Sequence, residues 1–290
     1  MTAIPRLNGI IRAWEEGRPA FASFAHAERQ TAIEFSTAPY DGLMFEMEHN
    51  PFDMSGLQDA LQYLMNRKAI VSAGSLAPTL TPIVRIPPNG NEMSQVFAKQ
   101  SLDRGVYGIV WPHISTVEEA YNAVAACRYP RPKSASLYEP AGIRGDGPTS
   151  AARYWGLTQQ EYYAKADVWP LNPKGELIVF LMIEDVKGIE NLDDILKDVP
   201  GIGCCIIGEG DLSQELGYPR QYEHPVVLDA MAQIVATCKK YNVPVGQPHV
   251  NGKNIERVLQ EGYRFLMSPP IRSYAVIERG RELSAAKPAR

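Results

Sequence analysis

Cysteine is scarce in this 290-residue chain, and the four present do not form a pattern. Cys127 and Cys238 stand alone, while Cys204 and Cys205 are adjacent, a spacing that sends their side chains to opposite faces of a strand. With no C-x-x-C pair, they are expected as reduced core or surface thiols in a cytoplasmic protein. Runs of basic charge are also missing. The 29 Lys and Arg are outnumbered by 33 Asp and Glu, giving a formal net charge of -4, so nothing here is built to neutralise a phosphate backbone and nucleic acid is excluded as a partner. No apolar run reaches membrane-spanning length, and Arg12, Glu15 and Glu16 interrupt the place where a secretory signal would be apolar, so no membrane association is expected. Nor does a G-x-G-x-x-G turn follow an early strand, which argues against a dinucleotide-binding open sheet.

What the chain does have is 45% hydrophobic residues arranged in short apolar segments, each bounded by turn residues and followed by an amphipathic stretch. Eight strands are predicted, at 20–26, 41–48, 81–86, 105–113, 176–184, 201–209, 243–249 and 263–269. Helical patterns such as SGLQDALQYLMNRK, TVEEAYNAVAACR, KGIENLDDILKD and HPVVLDAMAQIVATCKKYN lie between them, several opened by Ser or Thr as a capping residue. Repeated βα units in this number predict a single-domain α/β protein spanning 1–290, a TIM (β/α)8 barrel. Two segments stand outside the repeat: an excursion at 128–175 rich in Pro, Gly, Tyr and Trp, and a C-terminal helix at about 271–287. The excursion suits a lid, a substrate contact or a subunit contact.

Polar residues gather where such a barrel carries its chemistry, at the C-terminal strand ends. Glu46, Glu48 and His49 follow the second strand, Arg85 ends the third, His113 follows the fourth, Glu184 the fifth, Asp211 the sixth and His249 the seventh. Glu184 and Asp211 come off adjacent strands and could share one cation; hard oxygen ligands favour Mg²⁺ or Mn²⁺. The alternatives are an inner ion pair of Glu184 with Arg85, and Asp211 as a capping residue before LSQELG. No Lys falls inside any predicted strand, which disfavours a Schiff-base enzyme.

In their order along the chain, FEMEHNPFD, PIVRIP, SLDRG, AGIRGDGP, MIEDVKGIENLDDIL and IGEGDLSQELGY resemble the HpcH/HpaI family of metal-dependent (class II) pyruvate aldolases, over roughly residues 18–285. The resemblance implies a TIM barrel assembled as a homo-oligomer, a hexamer or trimer, that reversibly cleaves 4-hydroxy-2-oxo acids to pyruvate, or a close 2-oxo acid, and an aldehyde. It implies Glu184 and Asp211 as ligands of Mg²⁺ or Mn²⁺, with Co²⁺ as a substitute, Arg85 as the enolate-stabilising cation, and His49 as the base paired with Asp103. The turn containing Gly208 and Gly210 would hold the 2-oxo acid carboxylate. Arg144 would face the substrate or anchor its loop.

Enolate chemistry asks for these groups in its own right. Negative charge develops on the keto oxygen and calls for fixed positive charge, while cleavage needs a base for the 4-hydroxyl proton, a role suited to a histidine near neutral pH. Glu46 and Glu48 are expected to orient that histidine, water or the metal ligands. The chain departs from the family pattern in having Glu46 for Asp, Met182 for Gln, and Glu209 and Gly210 for Pro-Ala, which bears on the electrophile. A decarboxylase or condensing enzyme on the same scaffold, macrophomate synthase-like or citrate-forming, is the alternative; a non-catalytic barrel with a binding role would have no need to retain Glu184, Asp211, Arg85 and His49 together.

Overall fold

The computed structural model describes residues 5–270 and 275–285. Eight strands close a parallel barrel: β1 (Ala20–Ala25), β2 (Gly42–Glu46), β3 (Thr81–Arg85), β4 (Gly108–Trp111), then, past a two-residue β5 (Val168–Trp169), β6 (Leu177–Ile183), β7 (Cys204–Ile207), β8 (Val245–Gln247) and β9 (Phe265–Met267). The sheet runs β4-β3-β2-β1-β9-β8-β7-β6, and pairing of β4 with β6 closes the ring. β5 lies in the excursion and pairs with the start of β6. Each barrel strand falls inside its predicted segment and is shorter than it, because the predicted ends run on into the loops at both rims.

Period-two alternation sorts the apolar residues into two layers. Along β6, Ile178, Phe180 and Met182 join the barrel interior, whereas Leu177, Val179, Leu181 and Ile183 pack outward against the helices. Cys204 and Cys205 divide in the same way, and all four cysteines are buried and unpaired. The helix Gly9–Glu15 drives Ile10, Ile11, Ala13 and Trp14 into the interior cluster and closes the rim where the strands begin. Asn8 caps that helix, and its side-chain amide donates to the carbonyl of Glu176 at 2.9 Å. With that rim plugged, the open mouth is the one at the C-terminal strand ends. A cavity of about 680 Å³ lies at the plugged rim among Trp14, Pro19, Trp169, Pro244 and Arg264, away from the predicted polar constellation.

The excursion at 128–175 is ordered and packed onto the barrel. It contains the helices Thr149–Trp155 and Gln159–Lys165, the second opened by a reciprocal Thr158–Glu161 cap. Trp155 stacks on Tyr107 with ring centres 4.2 Å apart, and Tyr154, Trp155 and Tyr162 are buried. Much of the aromatic density read from the sequence is thus core packing. The fully buried Arg128 holds the segment's start, donating to Asp167 at 2.8 Å and to the carbonyls of Leu137, Tyr138 and Pro140. The C-terminal helix is described over Ala275–Ala285; the remainder of the predicted 271–287 span lies outside the described residues.

Candidate active site

Interior-facing positions of β2, β3 and β6 continue into charged residues at the mouth. Met44 is followed two residues later by Glu46, Ile83 by Arg85, and Met182 by Glu184, so the strand period that fills the core also delivers the charges. Glu46 and Arg85 are direct register partners on β2 and β3. Arg85 Nε donates to Glu46 at 2.6 Å, Nη2 is also in contact with that carboxylate, and Nη1 meets Glu48 Oε2 at 2.9 Å. Phe24 faces the guanidinium at 5.0 Å, and Met182 Sδ lies 3.8 Å from Nη1. Two carboxylates therefore hold Arg85 in a fixed plane at the mouth. Glu46 Oε1 accepts the backbone N–H groups of Glu48 (2.9 Å) and His49 (3.1 Å), which fixes the chain leaving β2. His49 projects outward from there, two-thirds exposed, with Nε2 3.5 Å from Glu48.

A second group stands across the mouth. Glu184 is buried, and its Oε1 accepts the backbone N–H of His113 at 2.7 Å. His113 takes a positive φ of 49°, rare for a non-glycine residue, and its Nε2 lies 3.8 Å from Glu184 and 3.9 Å from Glu48. Burial raises the Glu184 carboxyl to about 7, against the opposing pull of His113, and burial also raises Glu48 despite Arg85. Gly208 is required by this packing: a Cβ there would collide with the Glu184 carboxylate. Asp211, in the first turn of the helix Glu209–Glu215, completes a set with His113 and Glu184 whose candidate ligand atoms all lie within 4.8 Å of one another. That spacing, with two carboxylates of which one is buried with no Lys or Arg ion pair among the described residues, fits a divalent cation.

These contacts decide between the readings left open by the sequence. Arg85 pairs with Glu46 and Glu48, not with Glu184, and Asp211 sits inside the helix's first turn, not at its cap. His113 is visible in the sequence as a polar residue after a strand, but nothing in its spacing separates it from chance; the turn that brings its ring back over Glu184 is seen only in the fold.

The expected pairing of His49 with Asp103 is not made within the chain. Asp103 lies near the C-terminal end of the helix Gln95–Arg104, which returns the chain to the start of β4 and hence to the opposite rim. There its partner is Arg144, at 2.9 Å, and burial raises its carboxyl. Arg144, expected to face the substrate or to anchor its loop, is itself buried, hydrogen-bonded to Tyr162 at 2.9 Å and covered by the Tyr129 ring at 4.4 Å. It ties the excursion to the barrel in this chain. Glu209, another of the residues read as departing from the family pattern, is fully buried, with Gln247 Nε2 donating to it at 3.2 Å and His249 Nδ1 in contact with its second oxygen.

The model of the HpcH/HpaI aldolase/citrate lyase family matches residues 21–268. The chain belongs to that family. It is 31% identical over 229 residues, 79% of its length and 77% of the relative's, to a 5-keto-4-deoxy-D-glucarate aldolase of Escherichia fergusonii. Its fold superposes on an HpcH/HpaI aldolase/citrate lyase family protein of Burkholderia cenocepacia J2315 with a TM-score of 0.74 at 25% identity, covering 96% of this chain and 98% of that one. Macrophomate synthase shares the fold, with a TM-score of 0.68 at 20% identity and coverage of 98% and 91%. Membership makes the chain a lyase of the aldolase type, with its charged mouth in the position expected of an active site.

Proposed function

We propose that this HpcH/HpaI aldolase reversibly cleaves 4-hydroxy-2-oxo acids to pyruvate, or a close 2-oxo acid, and an aldehyde, with Mg²⁺ or Mn²⁺ as its cation and Co²⁺ as a substitute. The observation that carries the reading is the meeting of two groups at one mouth: the His113, Glu184 and Asp211 ligand set, and an Arg85 guanidinium fixed by Glu46 and Glu48. Glu184, Asp211 and the added His113 would hold the cation, which when bound supplies Lewis-acid polarisation of the 2-oxo acid. Arg85, already constrained in position, offers N–H groups to the keto oxygen as enolate charge develops there, at little cost in reorganisation. Gly208 makes room for the Glu184 carboxylate, and Gly210 leaves the backbone of the turn accessible to the substrate carboxylate. His49 takes the 4-hydroxyl proton as the carbon–carbon bond breaks, with Glu48 beside it.

Asp103 belongs to the opposite rim, where the buried Arg144 holds it, so it reaches His49 only from a neighbouring copy, and we take the working form to be a homo-oligomer, a trimer or hexamer. The exposed Val276 and Ile277 of the last helix support a subunit contact. Among the described residues no helix is long and apolar enough to cross a membrane, and the four buried free thiols suit the cytoplasm. The likeness to a 5-keto-4-deoxy-D-glucarate aldolase favours a hydroxylated, acidic substrate. The test is pyruvate release from a panel of 4-hydroxy-2-oxo acids before and after chelation. Activity lost to the chelator and regained with Mg²⁺, Mn²⁺ or Co²⁺ is expected; undiminished release in chelator would refute the assignment, and release of CO₂ in place of an aldehyde would favour the decarboxylase.

A further inference from the structure

The segment from Gly208 to Tyr222 carries Asp211 out from β7, and its own backbone gives that residue little stiffness. Gly210 precedes Asp211, and neither its φ nor its surroundings require glycine there, since an added Cβ would meet no atom within 4 Å. The helix that holds both is only seven residues long. Glycine in a short helix leaves more unfolded freedom to be lost than any other residue. Yet the segment is tied at both ends to one side chain. Near its start, the fully buried Glu209 contacts His249 Nδ1 and accepts from Gln247. Near its end, the Tyr222 ring stacks on the His249 ring, centres 5.0 Å apart and planes 12° from parallel. His249 is itself seated on the loop after β8, where Asn254 Nδ2 donates to its carbonyl at 3.0 Å. Between the two ties, Ser213 Oγ donates to the Gly210 carbonyl at 2.8 Å and accepts the Arg220 N–H at 3.0 Å, folding the segment back on itself.

From this arrangement we infer that His249, through Glu209 and Tyr222, is a positioning residue for Asp211: it staples the segment and so presets the cation site. The inference rests on the proposed role of Asp211 as a ligand. His249 does not itself belong to the ligand set, being held to Glu209 on one side and half exposed on the other. An imidazole serves here because one ring nitrogen donates in its plane to a carboxylate while the ring face remains free to stack.

The experiment reads binding of Mn²⁺ alone by calorimetry, with circular dichroism checking the fold. His249→Ala should weaken binding by about tenfold or more, the range seen when partners of metal ligands are removed. His249→Asn places Nδ2 near the lost Nδ1 and should keep most of the affinity. Adding Gly210→Ala to His249→Ala should recover much of the loss, because alanine fits the open space and stiffens the first turn. Tyr222→Leu, at a partly exposed ring, should weaken binding by about threefold and carries the test if the alanine variant does not fold. Wild-type affinity in His249→Ala or in Tyr222→Leu, or no recovery on adding Gly210→Ala, overturns the inference. Aldol turnover does not enter: a wild type that binds Mn²⁺ but cleaves no substrate defeats the proposed function and leaves this result standing, whereas a wild type that binds no Mn²⁺ defeats the ligand assignment itself.

Discussion

Arg85 and Glu184 show how single residues divide the work at the mouth. Arg85 is gripped by two carboxylates, so replacing its planar fork by the compact ammonium of lysine keeps the charge and loses the geometry. Arg85→Lys is expected to reduce turnover by roughly a hundredfold with little change in stability; wild-type kinetics would remove Arg85 from the mechanism. Glu184 makes the opposite case, a carboxyl raised by burial to about 7. In the cation-free protein the folded state then holds a proton that the unfolded chain releases from about pH 4.5 upward. Stability should therefore fall as pH rises from about 4.5 through 7, by up to about 3 kcal/mol. Added Mg²⁺ should cancel the fall, since it takes the proton's place on the carboxylate. The check is chemical denaturation of cation-free protein against Glu184→Gln at several pH values; equal slopes for the two would show that Glu184 is not the titrating group. Both residues are legible in the sequence, since each ends a strand on its interior phase. His113 is not separable from chance there, because its role depends on a positive-φ turn, and the Asp103–His49 pair is not made within one chain, since motif resemblance says nothing of which rim, or which copy, delivers the acid.

At the scale of elements, the barrel is readable because strand alternation and helix caps agree with one another along the chain. The excursion at 128–175 is not, since its order comes from contacts between residues far apart in sequence. Arg128 reaches Asp167, 39 positions on, and three loop carbonyls. Arg131 and Asn172 also reach that same carboxylate, at 2.5 and 3.2 Å. Aromatic richness suggests a substrate lining or a subunit contact, but Tyr154, Trp155 and Tyr162 are buried against the barrel instead. Removing Arg128 leaves Asp167 and three acceptors buried with too few donors. Arg128→Ala is accordingly expected to destabilise the protein by about 3–5 kcal/mol, measured by urea unfolding. A loss under about 1 kcal/mol would mean that the excursion is held chiefly by its aromatic packing.

For the molecule as a whole, the two rims have different work to do. The mouth carries Arg85, His49 and the proposed ligand set, while Asp103 and Arg144 sit at the rim where the strands begin, and a single barrel cannot bring one rim to the other. The last described helix adds two large apolar side chains to the surface, Val276 at 87% exposed and Ile277 at 55%. Lone apolar residues on a surface are ordinary, but two side by side on a terminal helix suit a neighbouring copy, where burying each would contribute about 1.5–3 kcal/mol. Sedimentation of the wild type is expected to give a trimer or hexamer, and Val276→Asp combined with Ile277→Asp to shift it toward smaller species. If Asp103 serves His49 from another copy, turnover should fall in step with the loss of assembly while Mn²⁺ binding, for which the proposed ligands all come from one chain, persists. A dissociated variant that keeps full turnover would show that His49 works without Asp103, with Glu48 as the carboxylate beside its ring.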